Sequence, residues 1–560
     1  MRRFPLNCHG WPSWPARANW IFRAGAVGGA LSFLLPPAMA ADASPELVQP
    51  AICSATTADP PSGICTVKPI GGGQNNIKVN LTAASADITI GGYKVRTENY
   101  NGNYLTPVSE AMPGDTVSAH LVNALTPTPA PTPQPHDGMS HGDPNDNPTN
   151  LHYFHGGIVS PKNAARPTGP ETGNGDNIYV HLKSGKDAQG NPNSFDFEVQ
   201  IPGNHSLPGN EMLDARVLES DGEIPHPVGL NWYHSHMHGI SSNQVMGGMS
   251  GLLSVGAATA NVKAACVKDP NDEFKCLNDV EKDTRDLKDR TRARYALLRD
   301  IPLKKITKLP GEANGDMAEW DQDPATRSFP PGTPCGVWRP DTSTLDLKES
   351  LRTGFCQRSK DTAILFTLNG QRFPTITVES GQNLLLRFGN LSSNVPYWLE
   401  LASEADNSVV PLTVLSIDGV VPANPVLPGQ AQKPVQALND NNFLLMPAAR
   451  AEVYVRNDEK SHEAPQVYIL RTKRHLVGRF DEWPEIQLAR IVLQPNAVAS
   501  KTLVALNAPI ANPSAALSVE PRASESAALP DGCVRDLDPA FHEYRRVSFF
   551  WKSGIRPARL

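Results

Sequence analysis

The stretch Asn231–Gly251, NWYHSHMHGISSNQVMGGMSG, sets His234, His236 and His238 at alternate positions behind Trp232 and Tyr233. Alternate residues of an extended strand point to the same face. This spacing therefore predicts a strand with three imidazoles on one side, close enough to share a metal. Neutral imidazole is a ligand for copper, zinc, iron and nickel. Upstream, Thr149–Pro161, TNLHYFHGGIVSP, supplies His152 and His155. These two would face opposite sides of a regular strand, whereas a β-bulge would turn both the same way. A single His-rich surface loop would not explain two such stretches.

At 560 residues the chain predicts about three domains. Its 43 Gly and 52 Pro, with few stretches of helical periodicity, favour an all-β protein rich in turns. A net charge of −6 leaves no basic footprint and argues against nucleic acid as a partner.

Arg2, Arg3, Arg17 and Arg23 precede the apolar run AGAVGGALSFLLPPAMA, which ends on the small-x-small site Ala38-Met39-Ala40. Residues 1–40 thus read as an export signal cleaved near Ala40. The Arg2-Arg3 pair invites a twin-arginine reading but stands far from the apolar run. The run is too short and too interrupted by proline to span a bilayer, and no other stretch reads as a span. The expected product is periplasmic or secreted. Cysteine usage agrees with an oxidising compartment. Cys53 and Cys65, Cys266 and Cys276, and Cys335 and Cys356 form three close pairs, while Cys533 is left over. Spacing alone leaves the connectivity open.

Residues 41 to 76 read as a lead-in without clear structure, and strand patterns begin near Ile77. Pro113-Gly114-Asp115 is a turn signal before the alternating Val117–Asn123. His120 on that strand reads as structural. Residues 126–148 form a Pro-rich polar insertion, in which His136, Met139 and His141 read as incidental to a solvated loop. His181, His205 and His226 lie beside turn or polar residues and read as non-ligands. Residues 278–292 are charged, a short helix or a linker, and the strand ARYALLRDIPL follows. Residues 310–360 read as an irregular loop. Asn369-Gly370 is a turn, Ile376–Val378 and Leu384–Phe388 are strands, and residues 496–530 are an Ala, Pro and Ser-rich linker.

The two histidine stretches together resemble the first two copper-binding motifs of the multicopper oxidases, the family of laccases and bacterial copper oxidases. Trp232, Tyr233, His234, His236, Gln244, Gly247, Gly248 and Gly251 fall in the second motif's pattern. The first motif departs from it: His-Tyr-Phe-His-Gly stands where the family has His-x-His-Gly. The Pro-Gly-Asp-Thr turn at 113–116 resembles one in the family's first domain. Asn369-Gly370, Pro374, Arg387, Asn390, Asp418-Gly419, Pro447, Arg450 and Val453 resemble features of its middle domain, which carries no copper.

The resemblance implies an all-β chain of tandem cupredoxin domains (Greek-key β-sandwiches), two complete and a third truncated. The signal would be followed by an N-terminal domain at 41–260 and a middle domain at 261–495. The linker at 496–530 and the start of a C-terminal domain at 531–560 would complete the chain. It also implies copper as cofactor, with His152 on a type 2 copper and His155, His234 and His236 on a type 3 pair; His238 is extra. The family's further motifs, His-x-x-His-x-His and His-Cys-His-x-x-x-His, are missing. The histidines after His238 are His462, His475 and His542, none beside a cysteine. The sequence therefore reads as a truncated or frameshifted member. The function this implies is a copper-dependent oxidoreductase that couples oxidation of a small-molecule or metal-ion donor to reduction of dioxygen to water. The alternative is a copper-binding or copper-tolerance protein without turnover. A zinc hydrolase is disfavoured, because neither histidine motif contains an acidic residue to act as general base.

Overall fold

Along Gln74–Ile90 every second residue from Ile77 to Ala83 is buried. That alternation makes a long strand with one face on a core. The computed structural model describes residues 44–56, 61–127, 146–157, 180–201, 229–256, 291–309, 315–339, 343–347, 353–410, 412–419, 442–455, 457, 462–477 and 481–495. It also describes strand pieces at 164–165, 172–174, 266–268, 274–276 and 510–511. The export signal at 1–40, most of the Pro-rich insertion, His205, His226, Cys533 and residues 531–560 lie outside the described residues. So does the linker at 496–530, apart from Ile510–Ala511, which pairs with Cys266–Lys268.

Two β-sandwiches account for most of the described chain. In the first, a five-stranded sheet runs in the order Ile52–Ser54, Val108–Ala111, Ser250–Val255, Gly229–His234, His152–His155. It faces a sheet built on Gln74–Ile90, Tyr93–Tyr100, Thr116–Asn123 and Asn193–Gln200. Ile77, Leu81, Val117, Phe197, Tyr233 and Leu253 fill the space between them. In the second, Thr291–Lys304, Thr362–Leu368, Asn383–Asn390 and Arg450–Val455 lie on one side, with Tyr397–Ser403, Gln466–Thr472 and Ile486–Leu493 opposite. Leu298, Phe366, Leu386, Leu399, Leu470 and Ile491 belong to its core. Each such side chain, fully buried, contributes roughly 1.5–3 kcal/mol.

The strand Met317–Trp320 joins the two. It runs parallel to Tyr93–Tyr100 and antiparallel to Thr291–Lys304, so one hydrogen-bonded ladder passes from sandwich to sandwich. A further core of Val108, Leu230, Trp232, Leu252, Tyr295 and Leu297 draws on both.

Asn369 and Gly370 both have positive φ, 53° and 78°, and close a two-residue hairpin in which Leu368 and Gln371 exchange backbone hydrogen bonds. Disulfides join Cys53 to Cys65 and Cys335 to Cys356. Cys266 and Cys276 are register partners on antiparallel strands.

Two sequence expectations need correction, and one element goes beyond them. The lead-in before Ile77 contains Ile52–Ser54 and Cys65–Gly71. The first is too short to show alternation, and the second adds to the edge of Gln74–Ile90 through backbone pairing. The 310–360 segment holds four short strands and the 3-10 turn Pro324–Arg327. Finally, Ser241–Gly247 is a helix, in the middle of the second histidine stretch. At seven residues it is too short to show helical periodicity. No helix among the described residues is long and apolar enough to cross a membrane.

Candidate metal centre

The strand His152–His155 lies antiparallel to Gly229–His234. His152 stands opposite His234, and His155 stands opposite Trp232. Three residue steps on one strand thus match two on the other, and the register shifts between them. The extra residue is a bulge. It turns both histidines the same way, with their rings stacked at 4.2 Å between centroids and 18° between planes. A regular strand would have separated them. One ligating nitrogen from each of His152, His155 and His234 lies within 4.8 Å of the others.

His234 closes its strand. Its Nδ1 is 2.7 Å from the Ser235 carbonyl, which can only accept, so Nδ1 carries the proton. That leaves a lone pair on Nε2, which faces His155 Nδ1 at 2.9 Å. Burial pushes the His234 pKa well below the ordinary imidazole value, and the nearby His155, His152 and His236 disfavour its charge further. His234 is therefore a neutral imidazole whose Nε2 lone pair is directed at His155.

Beyond His234 the chain leaves the strand. The Ser235 carbonyl accepts the Ser241 hydroxyl at 2.6 Å, and the Met237 carbonyl accepts the Ile240 and Ser241 amides. These bonds turn the chain into the helix Ser241–Gly247. His236 remains beside the cluster, its ring 5.4 Å from His152 and 5.3 Å from His234, and its amide donates to Asn150 Oδ1 at 2.8 Å. His238 is exposed on the turn. The expected row of three alternate imidazoles on one strand is thus not formed: the strand ends at His234, His236 stays beside the cluster from the stretch that follows, and His238 faces solvent.

Several supporting residues were not legible as such in the sequence. Trp232 stacks on His234 at 3.9 Å and 9°, and on His155 at 5.1 Å and 25°. Gln244 accepts the Ser235 hydroxyl and donates to the Pro148 carbonyl at 3.0 Å, tying the two histidine stretches together. Asn147 donates to Glu98, whose carboxyl burial holds above the usual carboxylate range. Only the placement of Trp232 and Gln244 in a family pattern signalled any of these.

Four further described histidines make structural contacts. His120 pairs with Asp196 at 3.0 Å and His181 with Asp146 at 3.2 Å. His462 is bonded to Ala464 and Asn457, and His475 to Lys473. A cluster of imidazoles without a carboxylate suits copper, zinc, iron or nickel, and does not suit magnesium or calcium.

No known family profile matches the sequence, and neither does any curated protein. Several solved structures are similar at low identity. A McoA multicopper oxidase variant from Aquifex aeolicus is 16% identical with a TM-score of 0.43, over 82% of this chain and 67% of that one. The laccase-like multi-copper oxidase CueO from Ochrobactrum sp. is 16% identical with a TM-score of 0.41, over 81% and 66%. A multicopper oxidase from Campylobacter jejuni, described as a metallo-oxidase, is 14% identical with a TM-score of 0.41, over 82% and 64%. The chain thus spans about two thirds of the length of these structures.

Proposed function

We propose that this chain binds copper through His152, His155 and His234, with His236 beside them, and that it is of multicopper oxidase type. The observation that carries the reading is the bulge that sets His152 and His155 on the side facing His234. Bound copper would supply one-electron chemistry, taking electrons from a small-molecule or metal-ion donor and delivering them to dioxygen. The chain's own part is to hold imidazole nitrogens in place, with His234 oriented by the Ser235 carbonyl and the rings of His234 and His155 backed by Trp232.

Copper binding without turnover is the second reading. It is favoured because the described residues contain one histidine cluster, while His462 and His475 are engaged in structural hydrogen bonds. Copper content and the visible spectrum of the purified protein, with oxygen uptake on a generic electron donor, separate the two. Bound copper with an intense blue band and oxygen uptake supports the oxidase. Bound copper with neither supports a binding protein, and no bound copper rejects both.

The two sandwiches fit the domains expected at 41–260 and 261–495. The disulfides fit an exported protein, periplasmic or secreted. The N-terminal residue of the mature protein from the producing cell tests the export reading, and cleavage near Ala40 is the outcome it requires.

A further inference from the structure

We infer that two buried arginines of the second sandwich, Arg299 and Arg450, are positioning residues that set the geometry of the histidine cluster in the first. The inference rests on the metal-binding reading above. Neither arginine contributes a ligand; Arg299 acts through the strand paired with that of His234, and Arg450 through the His234 strand itself.

Arg299 lies on Thr291–Lys304 and is 1% exposed. Its Nη1 donates to Ser250 Oγ at 2.8 Å and to the Val245 carbonyl at 3.3 Å. Its Nη2 donates to the Ser250 carbonyl at 2.5 Å. Ser250 is the cross-strand partner of His234. The guanidinium thus grips the strand directly behind the central histidine, and Tyr104 lies under it at 5.0 Å.

Arg450 opens the strand Arg450–Val455 and is 6% exposed. Its Nε donates to the Leu230 carbonyl at 3.0 Å, two residues before Trp232, and Asp418 balances its charge at 3.0 Å. Its guanidinium also lies against Gly156, the residue after His155, where a Cβ would collide with Nη2. One side chain therefore touches both histidine strands, beside the pair His155 and Trp232 where the bulged register begins.

A buried guanidinium without partners is costly, so these contacts are held firmly. Metal sites need their ligands within about 0.5 Å of a productive arrangement. Rigid forks reaching in from the second sandwich add to that constraint, beside the Gln244 tie within the first. Arg387 offers the control. It is fully buried in the second sandwich, but its hydrogen bonds go to Glu452 at 2.7 Å and Tyr295 at 2.7 Å.

The test uses the full chain and Cu(II) alone as probe, read by titration, electron paramagnetic resonance and apoprotein melting. Arg299→Met and Arg450→Met are each expected to weaken Cu(II) binding about 10- to 100-fold and to change the resonance parameters. Arg387→Met is expected to lower the melting temperature while keeping the wild-type copper spectrum. Ser250→Ala, a milder change that removes one Arg299 bond, is expected to shift the spectrum in a folded protein. Wild-type affinity and spectra in Ser250→Ala and in whichever arginine variants fold would overturn the inference. Equal spectral change in Arg387→Met would overturn it too, by showing only general loosening. Failure of the wild type itself to bind Cu(II) would instead reject the metal reading, and the inference with it.

Discussion

His155 Nδ1 and His234 Nε2 lie 2.9 Å apart, a hydrogen bond between two imidazoles on neighbouring antiparallel strands. Since His234 holds its proton on Nδ1, His155 is the donor and His234 the acceptor. The lone pair that would bind a metal is therefore engaged by its neighbour. Metal binding must exchange that bond for coordination, so His155 has to turn its ring or lose the proton.

Substitution of either member should show this directly. His155→Ala and His234→Ala are each expected to lower Cu(II) affinity at least tenfold. His238→Ala, on the exposed turn, is expected to leave it unchanged. Calorimetric titration of the three variants decides. Unaltered affinity in His234→Ala would move the site elsewhere.

Gly251 faces Tyr233 across the strand pair, and a Cβ there would overlap the phenol ring and Thr106 Oγ1. The Tyr233 hydroxyl donates to the Pro107 carbonyl at 2.6 Å, so the ring cannot easily retreat. Gly251→Ala is expected to destabilise the fold by about 1–3 kcal/mol, as overpacking does. It should also weaken copper binding, because Tyr233 adjoins His234. Chemical denaturation and Cu(II) titration of the variant measure both effects.

Asp300 is 3% exposed, and burial pushes its pKa up to about 6, against the opposing influence of the Ser392 hydrogen bond and the Arg327 charge. Its ordinary value is 3.8, so the folded state holds the proton more tightly than the unfolded one. The stabilisation is fully present below about pH 4 and is lost as pH rises through about 6. Asp300→Asn mimics the protonated acid. It should gain stability over wild type at pH 8, by up to about 3 kcal/mol, and the gain should shrink towards pH 4. Urea midpoints at both pH values test this, and a gain independent of pH would count against it.

The Cys335–Cys356 disulfide spans 21 residues. Replacing both cysteines by serine is expected to cost about 3 kcal/mol on chain-entropy grounds. The midpoint of thermal unfolding should fall accordingly, and reduction of the wild type should match the double variant in direction.

Much of the fold was legible in the sequence for a physical reason: alternation such as that of Gln74–Ile90 reports one buried face, and Asn369-Gly370 reports a backbone that few residues adopt. The four histidines were legible because their spacing is local. The bulge was legible only as a requirement, since His152 and His155 cannot converge without it. What escaped were long-range relations. Nothing near Arg299 announces that it grips Ser250, 49 residues away, and nothing near Arg450 announces Leu230, 220 residues away. Helix Ser241–Gly247 escaped because its hydrogen bonds depend on the Met237 turn and not on any repeating apolar face.

The ladder through Met317–Trp320 bears on how the molecule can be cut. A fragment ending at residue 256 inherits every histidine of the cluster, yet it leaves the Tyr93–Tyr100 strand with an open edge where Met317–Trp320 had paired. Open edges recruit other strands. Such a fragment would carry the histidines with an edge exposed in the sheet facing theirs, and self-association is its expected fate, which argues against treating the histidine cluster as a transplantable module.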